Sequence, residues 1–465
     1  MNECKGIKMI LEYFKKTIKD KALIKACLTV AIPLMFQQLI VAGVNLVDNL
    51  MVGKLGDIAV SGVSSANRYY NIAQFAINAI IVSCIIFLSQ YNGANDDEHM
   101  KQSYRFSVVS SYFLIIIFFS LAYFFPEKII SFIINDEEII KCGSEYLKLA
   151  CFSYIPLGLS MPIANAMRST GETRLPLLIS IMSIVINATF DYALIFGKFG
   201  FPALGVKGAA IATILARLFE AIVYLRFLHK YPFAFKTKVK DIFKFESGLA
   251  KQIIIKAIPL MINETMWQIG MATLIKGYSS RGALVNTAYS ISSTIADLFF
   301  ILFAGMATAT TVLVGTPLGA NKLDEAKDNG YKLICFSMLL SIVFALAMSS
   351  SSLLVPLLYN NVSEYSISLS QSFLKVMSIF FMLYMFNTQC FFTLRTGGDT
   401  KNTMFMDSCF MWAFNIPLVL ILAYKTNLPI LYVYTVGQST DIVKAIIAYR
   451  MVRKEKWVNN LTNSF

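Results

Sequence analysis

The sequence predicts an all-α polytopic membrane protein of about twelve transmembrane helices, arranged in two six-helix bundles. Three observations predict it. The 465-residue chain is 56% hydrophobic with a mean hydropathy of +0.61, too apolar for a soluble domain of that length. Apolar runs of roughly 20 residues recur along it, each able to cross about 30 Å of hydrocarbon as a helix that satisfies its own backbone groups. The chain is also written twice, with short motifs returning about 226 positions later.

In chain order, residues 1–25 carry NECKGIKMILEYFKKTIKDK, an amphipathic, basic segment. It suits a surface helix at the inner leaflet better than a cleaved signal, since no small-residue cleavage site follows. Spans are expected to start near Ala26, Gly62, Arg105, Ser144, Pro176 and Lys207, forming an N-terminal bundle over 26–228. Residues 229–251 form a long, basic cytoplasmic linker. Spans near Gln252, Asn286, Tyr331, Leu369, Thr403 and Leu428 form a C-terminal bundle over 252–451, and 452–465 is a cytoplasmic tail. An even number of crossings per repeat brings both halves into the membrane in the same orientation. The pseudo-two-fold axis is therefore expected along the membrane normal, with the bundles facing each other across a cleft. That design suggests alternating-access transport.

The net charge of +13 does not point to nucleic acid, because no basic face with base-reaching groups is present. With both termini placed in the cytoplasm, the cytoplasmic segments hold about 26 Lys and Arg and the opposite loops about 8. The basic excess is an orientation signal for a multi-pass protein of the cell membrane. The eight cysteines are scattered with no CxxC spacing and are expected to be reduced core residues. His99 and His229 fall in predicted cytoplasmic loops, and no metal or nucleophile spacing is present. An enzyme is not expected, nor a cofactor.

The repeat is carried by three motifs. Ala31-Ile32-Pro33-Leu34-Met35 returns as Ala257-Ile258-Pro259-Leu260-Met261, and Gly93-Ala94-Asn95 as Gly319-Ala320-Asn321. Arg168-Ser169-Thr170-Gly171-Glu172-Thr173-Arg174 is echoed one position further out by Arg395-Thr396-Gly397-Gly398-Asp399-Thr400-Lys401.

Polar groups inside apolar runs are the candidate site. Asn187 and Asp191 lie one turn apart in INATFDYALIFG, Asp48 lies in the first span, and Thr213 opens the sixth. A charge at bilayer depth costs about 2.5–3.5 kcal/mol or more. If these residues converge, they offer the hard oxygens a small cation prefers, or carboxylates that take up protons. The repeat counterparts of Asp48 and Asp191 are Leu274 and Val419, so the acid pair exists in one half only. A scaffold requirement would be expected in both halves. The structural alternative is cross-linking of helices by hydrogen bonds, which small hydroxyls such as Thr213 do routinely.

In the second half, Glu264 replaces Gln38 at the matching position and is a candidate for a second cation, a cationic substrate or a structural pair. Asp297 interrupts the eighth span, with a structural role favoured, and Asp407 is expected near the cytoplasmic end and solvated. Asn67 and Arg68 are read as interfacial. The 21 Met and 37 Phe suit a plastic apolar cleft and equally suit core and lipid-facing surfaces. Pro33 removes a backbone hydrogen bond from the first helix and marks a hinge.

These motifs, together with Val47-Asp48-Asn49-Leu50-Met51-Val52-Gly53-Lys54-Leu55-Gly56 and Gly208-Ala209-Ala210-Ile211-Ala212-Thr213, resemble the multidrug and toxic compound extrusion (MATE) family. The resemblance runs from about Leu28 to the tail Lys456-Trp457-Val458-Asn459-Asn460-Leu461-Thr462. It implies a twelve-helix exporter of organic compounds, cationic or amphiphilic small molecules, in exchange for Na+ or H+. Similar family members use an aspartate in the first helix, an Asn-x-x-x-Asp pair in the fifth and a threonine in GAAxAT. Asp48, Asn187, Asp191 and Thr213 match, which makes them the implied site for the coupling Na+ or proton. The expected partners are the lipid bilayer and the transported compound, with the chain a monomer. The rival reading is a flippase for a lipid or lipid-linked sugar. It needs a strongly cationic cleft, whereas mid-membrane Lys and Arg look few.

Overall fold

The computed structural model describes residues 12–134, 136–359 and 362–464, and their side chains except at 44–50, 53, 57, 283, 463 and 464. The side chain of Asp48 therefore lies outside the described residues.

Twelve long helices are found among the described residues. They are α1 (Lys21–Gly53), α2 (Asp57–Ala94), α3 (Asp97–Phe124), α4 (Glu137–Ser169), α5 (Arg174–Phe196) and α6 (Val206–Lys230). The second set is α7 (Ser247–Ser279), α8 (Ala283–Gly319), α9 (Leu323–Ser351), α10 (Glu364–Thr396), α11 (Thr400–Lys425) and α12 (Ile430–Arg453). Each starts within about two turns of the apolar run that announced it, and no strand occurs among the described residues. Ten helices, all but α7 and α12, are apolar enough by length and composition to cross a membrane. The two exceptions are long enough but carry charges partway along: Glu264 in α7, Asp441 and Lys444 in α12.

The chain divides into two compact units, Phe36–Ala257 and Met1–Met35 with Ile258–Phe465. Both divisions fall at the repeated Ala-Ile-Pro-Leu-Met, inside α1 and α7 and within two residues of Pro33 and Pro259.

Two of the repeated motifs are turn chemistry. Asn95 (φ 55°) and Asn321 (φ 58°) both stand in the left-handed region where α2 and α8 end, a conformation that asparagine tolerates better than most residues. Gly56 (φ 98°) precedes α2 and Gly282 (φ 120°) precedes α8. Gly171 and Gly398, at φ 90° and 78°, turn the chain into α5 and α11. These two motifs thus mark chain reversals that both halves need, while Ala-Ile-Pro-Leu-Met lies inside α1 and α7.

In the N-terminal unit the helices approach closely at glycines. A Cβ on Gly62 would lie 2.9 Å from the Gly143 backbone, which fixes α2 against α4. One on Gly208 would meet the Leu194 carbonyl at 2.6 Å. Gly208, Ala209, Ala210 and Ala212 are all buried, so the small-residue run lets α6 lie against α5. The segment before α7 is held by Arg105, whose guanidinium donates to Thr237 Oγ1 (2.8 Å), the Lys244 carbonyl (2.9 Å) and Glu98 (3.0 Å).

In the C-terminal unit, Trp457 of the tail is fully buried against Gly330 and Gly397, and its Nε1 donates to the Val452 carbonyl at 2.9 Å. The helical segment 12–19 docks on α9: Tyr13 and Tyr331 rings lie 5.0 Å apart, and Asp20 pairs with Lys332 at 2.7 Å. Unlike its repeat counterpart α5, α11 is π-wound over Phe405–Cys409 and Met411–Asn415. A π turn takes up an extra residue. The repeat offset grows by one between the Arg168/Arg395 motif and the Asn187/Asn415 pair, and the π-wound stretch lies in that interval.

Candidate functional site

Each unit encloses polar cavities of its own. In the N-terminal unit, a cavity of about 450 Å³ is lined by residues including Gln37, Gln74, Arg168, Asn187, Thr213 and Arg217. A second, of about 490 Å³, shares Gln74, Asn187, Thr213 and Arg217 and adds Asp191, Asn67 and Arg68. Asn187, Asp191 and Thr213 are therefore brought to one cavity by α5 and α6. Asp191 is 3% exposed. Thr213 Oγ1 donates back to the Ala209 carbonyl at 3.0 Å, so its lone pairs are what it offers to a ligand. The Asn187 Nδ2 is buried without a partner. Carboxylate, amide and hydroxyl oxygens are the donor types a hard monovalent cation takes. Asn67 and Arg68, read from the sequence as interfacial, line the same cavity.

Arg217 and Arg168 are additions that the sequence reading missed. Arg217 donates to Glu220 at 2.8 Å, one turn along α6. Arg168 donates through Nη2 to Gln37 Oε1 at 3.0 Å and through Nη1 to Asn165 Oδ1 at 3.4 Å.

The C-terminal unit holds a cavity of about 530 Å³ between α7, α8, α10, α11 and α12. Glu264 and Asp297 both line it, and neither has a hydrogen-bond or ion-pair partner among the described residues. Aromatic walls are supplied by Tyr278, Tyr289 and Tyr434, whose rings lie 5.3–6.3 Å apart, and by Phe300 and Trp267.

Asp407 departs from expectation. It is not solvated: its Oδ1 accepts from Lys444 Nζ at 2.5 Å and its Oδ2 from Asn263 Nδ2 at 3.2 Å. The side chains of the ion pair are only 18% and 17% exposed. The π-wound stretch of α11 carries Asp407 within reach of α12, and Asn415 Nδ2 then donates to Thr440 Oγ1 at 2.7 Å and the Gly437 carbonyl at 3.0 Å. Asn387 Nδ2 donates to the Asp441 carboxylate at 3.0 Å and its backbone carbonyl at 3.1 Å. Two mid-span basic residues, Lys444 and Arg217, line cavities, as does Arg168 in the last turn of α4. A signal was available. Arg217-Leu218-Phe219-Glu220 and Asp441-Ile442-Val443-Lys444 are opposite-sign pairs at helical spacing inside spans, each followed by Ala-Ile.

Twelve long helices in two units, ten of them apolar enough by length and composition to cross a membrane, with a cavity reached by polar side chains inside each unit, have the architecture of a membrane transporter. The MatE family model matches the chain twice, over residues 33–193 and 258–421, and the chain belongs to that family. It is 26% identical over 452 residues to a protein of Oceanobacillus iheyensis described as "Probable multidrug resistance protein NorM", covering 95% of this chain and 99% of that one. It is 22% identical over 442 residues to "Probable multidrug resistance protein YoeA" of Bacillus subtilis, at 92% and 94% coverage. A solved structure of MATE in complex with MaL6 superposes with a TM-score of 0.85 at 18% identity, covering 93% of this chain and 96% of that one. A MOP superfamily transporter from Pyrococcus furiosus, described with reversed polarity of its binding pocket, superposes with a TM-score of 0.83 at 18% identity, covering 93% and 95%. The fold is shared with both structures.

Proposed function

We propose that the chain is a secondary active antiporter that exports organic, cationic or amphiphilic compounds in exchange for inward-moving Na+ or H+ by alternating access. The observation that carries the reading is the C-terminal cavity, where two acids, Glu264 and Asp297, with no hydrogen bond or ion pair among the described residues, stand among aromatic walls. An apolar cation satisfies both features, through contact with the acids and cation–π contact with the rings. A volume of about 530 Å³ lies within the range of drug-sized sites. The relatives' description as probable multidrug resistance proteins supports export of organic compounds.

The coupling ion is assigned to Asp48, Asn187, Asp191 and Thr213 in the N-terminal unit, where three of the four line one cavity. Pro33 is assigned as the hinge of α1. No cofactor is required beyond the coupling ion. The protein works as a monomer in the cell membrane with both termini in the cytoplasm, in keeping with the Lys and Arg distribution. Transport in proteoliposomes with the Na+ and proton gradients imposed separately tests the proposal. Dye counterflow driven by one gradient is expected, and downhill dye flux indifferent to both would refute coupling.

A further inference from the structure

We infer that the N-terminal cavity recognises an oxyanion, a carboxylate or phosphate borne by a bound compound, through Arg168 and Arg217. The inference builds on the proposed export function and adds a second substrate chemistry to it.

The argument starts from which buried polar atoms lack partners, since a native structure leaves few of them unexplained. In the N-terminal cavity the unpartnered lining atoms are Arg168 Nε and Asn187 Nδ2. The arginine nitrogen is a donor under all conditions. In the C-terminal cavity the unpartnered lining atoms include Asn387 Oδ1 and Asn415 Oδ1. Those amides cannot be turned round, because their Nδ2 groups already donate to the carbonyls of Asp441 and Gly437. The first cavity therefore needs an acceptor from its ligand, and the second needs a donor.

Charge runs the same way. Among the described residues, the cavity near α4 and α6 sets Arg168 and Arg217 against Glu220, with Asp191 in the adjoining cavity. The C-terminal cavity sets Glu264, Asp297, Asp407 and Asp441 against Lys444. Among the described residues Arg168 hydrogen-bonds to neutral oxygens, those of Gln37 and Asn165, and no carboxylate pairs with it. Arg217 has Glu220 on one side, yet its side chain remains 33% exposed while lining the cavity. A guanidinium fork matches the two oxygens of a carboxylate or phosphate, and such a ligand supplies both the acceptor and the charge that are missing. The matching tetrads on α6 and α12, Arg-x-x-Glu and Asp-x-x-Lys, show the reversal written in the sequence.

The test uses the full chain in phosphatidylcholine nanodiscs with 1-pyrenebutyrate as the probe and its primary amide as the uncharged control. The wild type is expected to bind the carboxylate at least tenfold more tightly than the amide. Arg168→Gln should reduce that preference below threefold. Gln37→Glu should do the same by giving Arg168 a resident carboxylate; the elution profile and melting temperature of each variant report whether it is folded. Equal binding of acid and amide by the wild type, or an undiminished preference in folded Arg168→Gln, would overturn the inference. A second arm replaces part of the lipid with phosphatidylglycerol. Loss of probe binding by competition sustains the oxyanion site and identifies its source as a lipid headgroup. Unchanged binding sustains it with a solute carboxylate as the source. The two proposals fail separately: absent acid preference with intact gradient-driven dye efflux removes only the oxyanion site. Acid preference without any coupled efflux removes the antiporter reading.

Discussion

Replacing Lys444 by methionine should destabilise the C-terminal unit far more than replacing Lys444 and Asp407 together. The Lys444 ammonium lies 2.5 Å from Asp407 Oδ1, and both side chains are less than a fifth exposed. At an effective dielectric near 20, two unit charges at that separation attract by about 6–7 kcal/mol, and desolvation of both ions offsets much of it. In Lys444→Met the carboxylate keeps only the Asn263 amide at 3.2 Å. Breaking a buried pair on one side costs about 3–5 kcal/mol. The cavity admits water, so the low end, about 3 kcal/mol, is expected. That is about two orders of magnitude in the unfolding constant. The double variant Asp407→Asn/Lys444→Met leaves no lone charge and should fall within about 1 kcal/mol of the wild type, a coupling of about 2 kcal/mol or more. Reversible unfolding in mixed micelles by sodium dodecyl sulfate titration measures all four proteins. If the two single losses simply add in the double variant, the pair is not the buried, mutually dependent unit described here.

Other expectations follow from the same geometry. Asp191→Asn should abolish gradient-driven efflux while leaving membrane insertion intact; efflux at the wild-type rate would remove the N-terminal carboxylate from coupling. Glu264→Gln should weaken binding of a monovalent cationic dye by about tenfold, the effect of losing a charge contact worth about 1.4 kcal/mol, and unchanged affinity would exclude the contact. The Lys332 ammonium and the Leu23 amide hold the Asp20 carboxyl below its ordinary value of 3.8. Its contribution to docking of segment 12–19 is therefore complete above that value and is lost as pH falls through the depressed one. Hydrogen exchange over 12–19 should accelerate only at strongly acidic pH, and acceleration already at pH 6 would contradict the assignment.

Much of the fold was legible because membrane helices announce themselves locally. Hydropathy placed all twelve spans, including α7 and α12, whose charges take them below a strict hydropathy threshold. Two of the repeat motifs were legible because they hold turn residues whose φ values both halves need, as at Asn95 and Asn321. Asn187 and Asp191 were recognisable as a pair because one helical turn separates them. Asp407 was misjudged because its partner Lys444 lies on a different helix and no local pattern joins them. Arg168 sits beside a chain reversal at Gly171, so nothing local marked it as a cavity residue, and its contact with Gln37 on another helix shows only in the fold.

The π-wound stretch of α11 amounts to a spare residue stored in mid-helix. A single-residue deletion between Phe405 and Asn415 can be absorbed by rewinding to an ordinary helix, with the ends of the span left in place. Such a shortened helix would still cross the bilayer. It would nevertheless move the residues of the π-wound stretch itself, and with them Asp407 relative to Lys444. The same deletion in the regular α5 has no slack to draw on and must shift everything that follows. The two halves, so alike in their turns, therefore differ in how they tolerate loss of a residue: one by local rewinding within the cavity wall, the other only by displacement of the helix end.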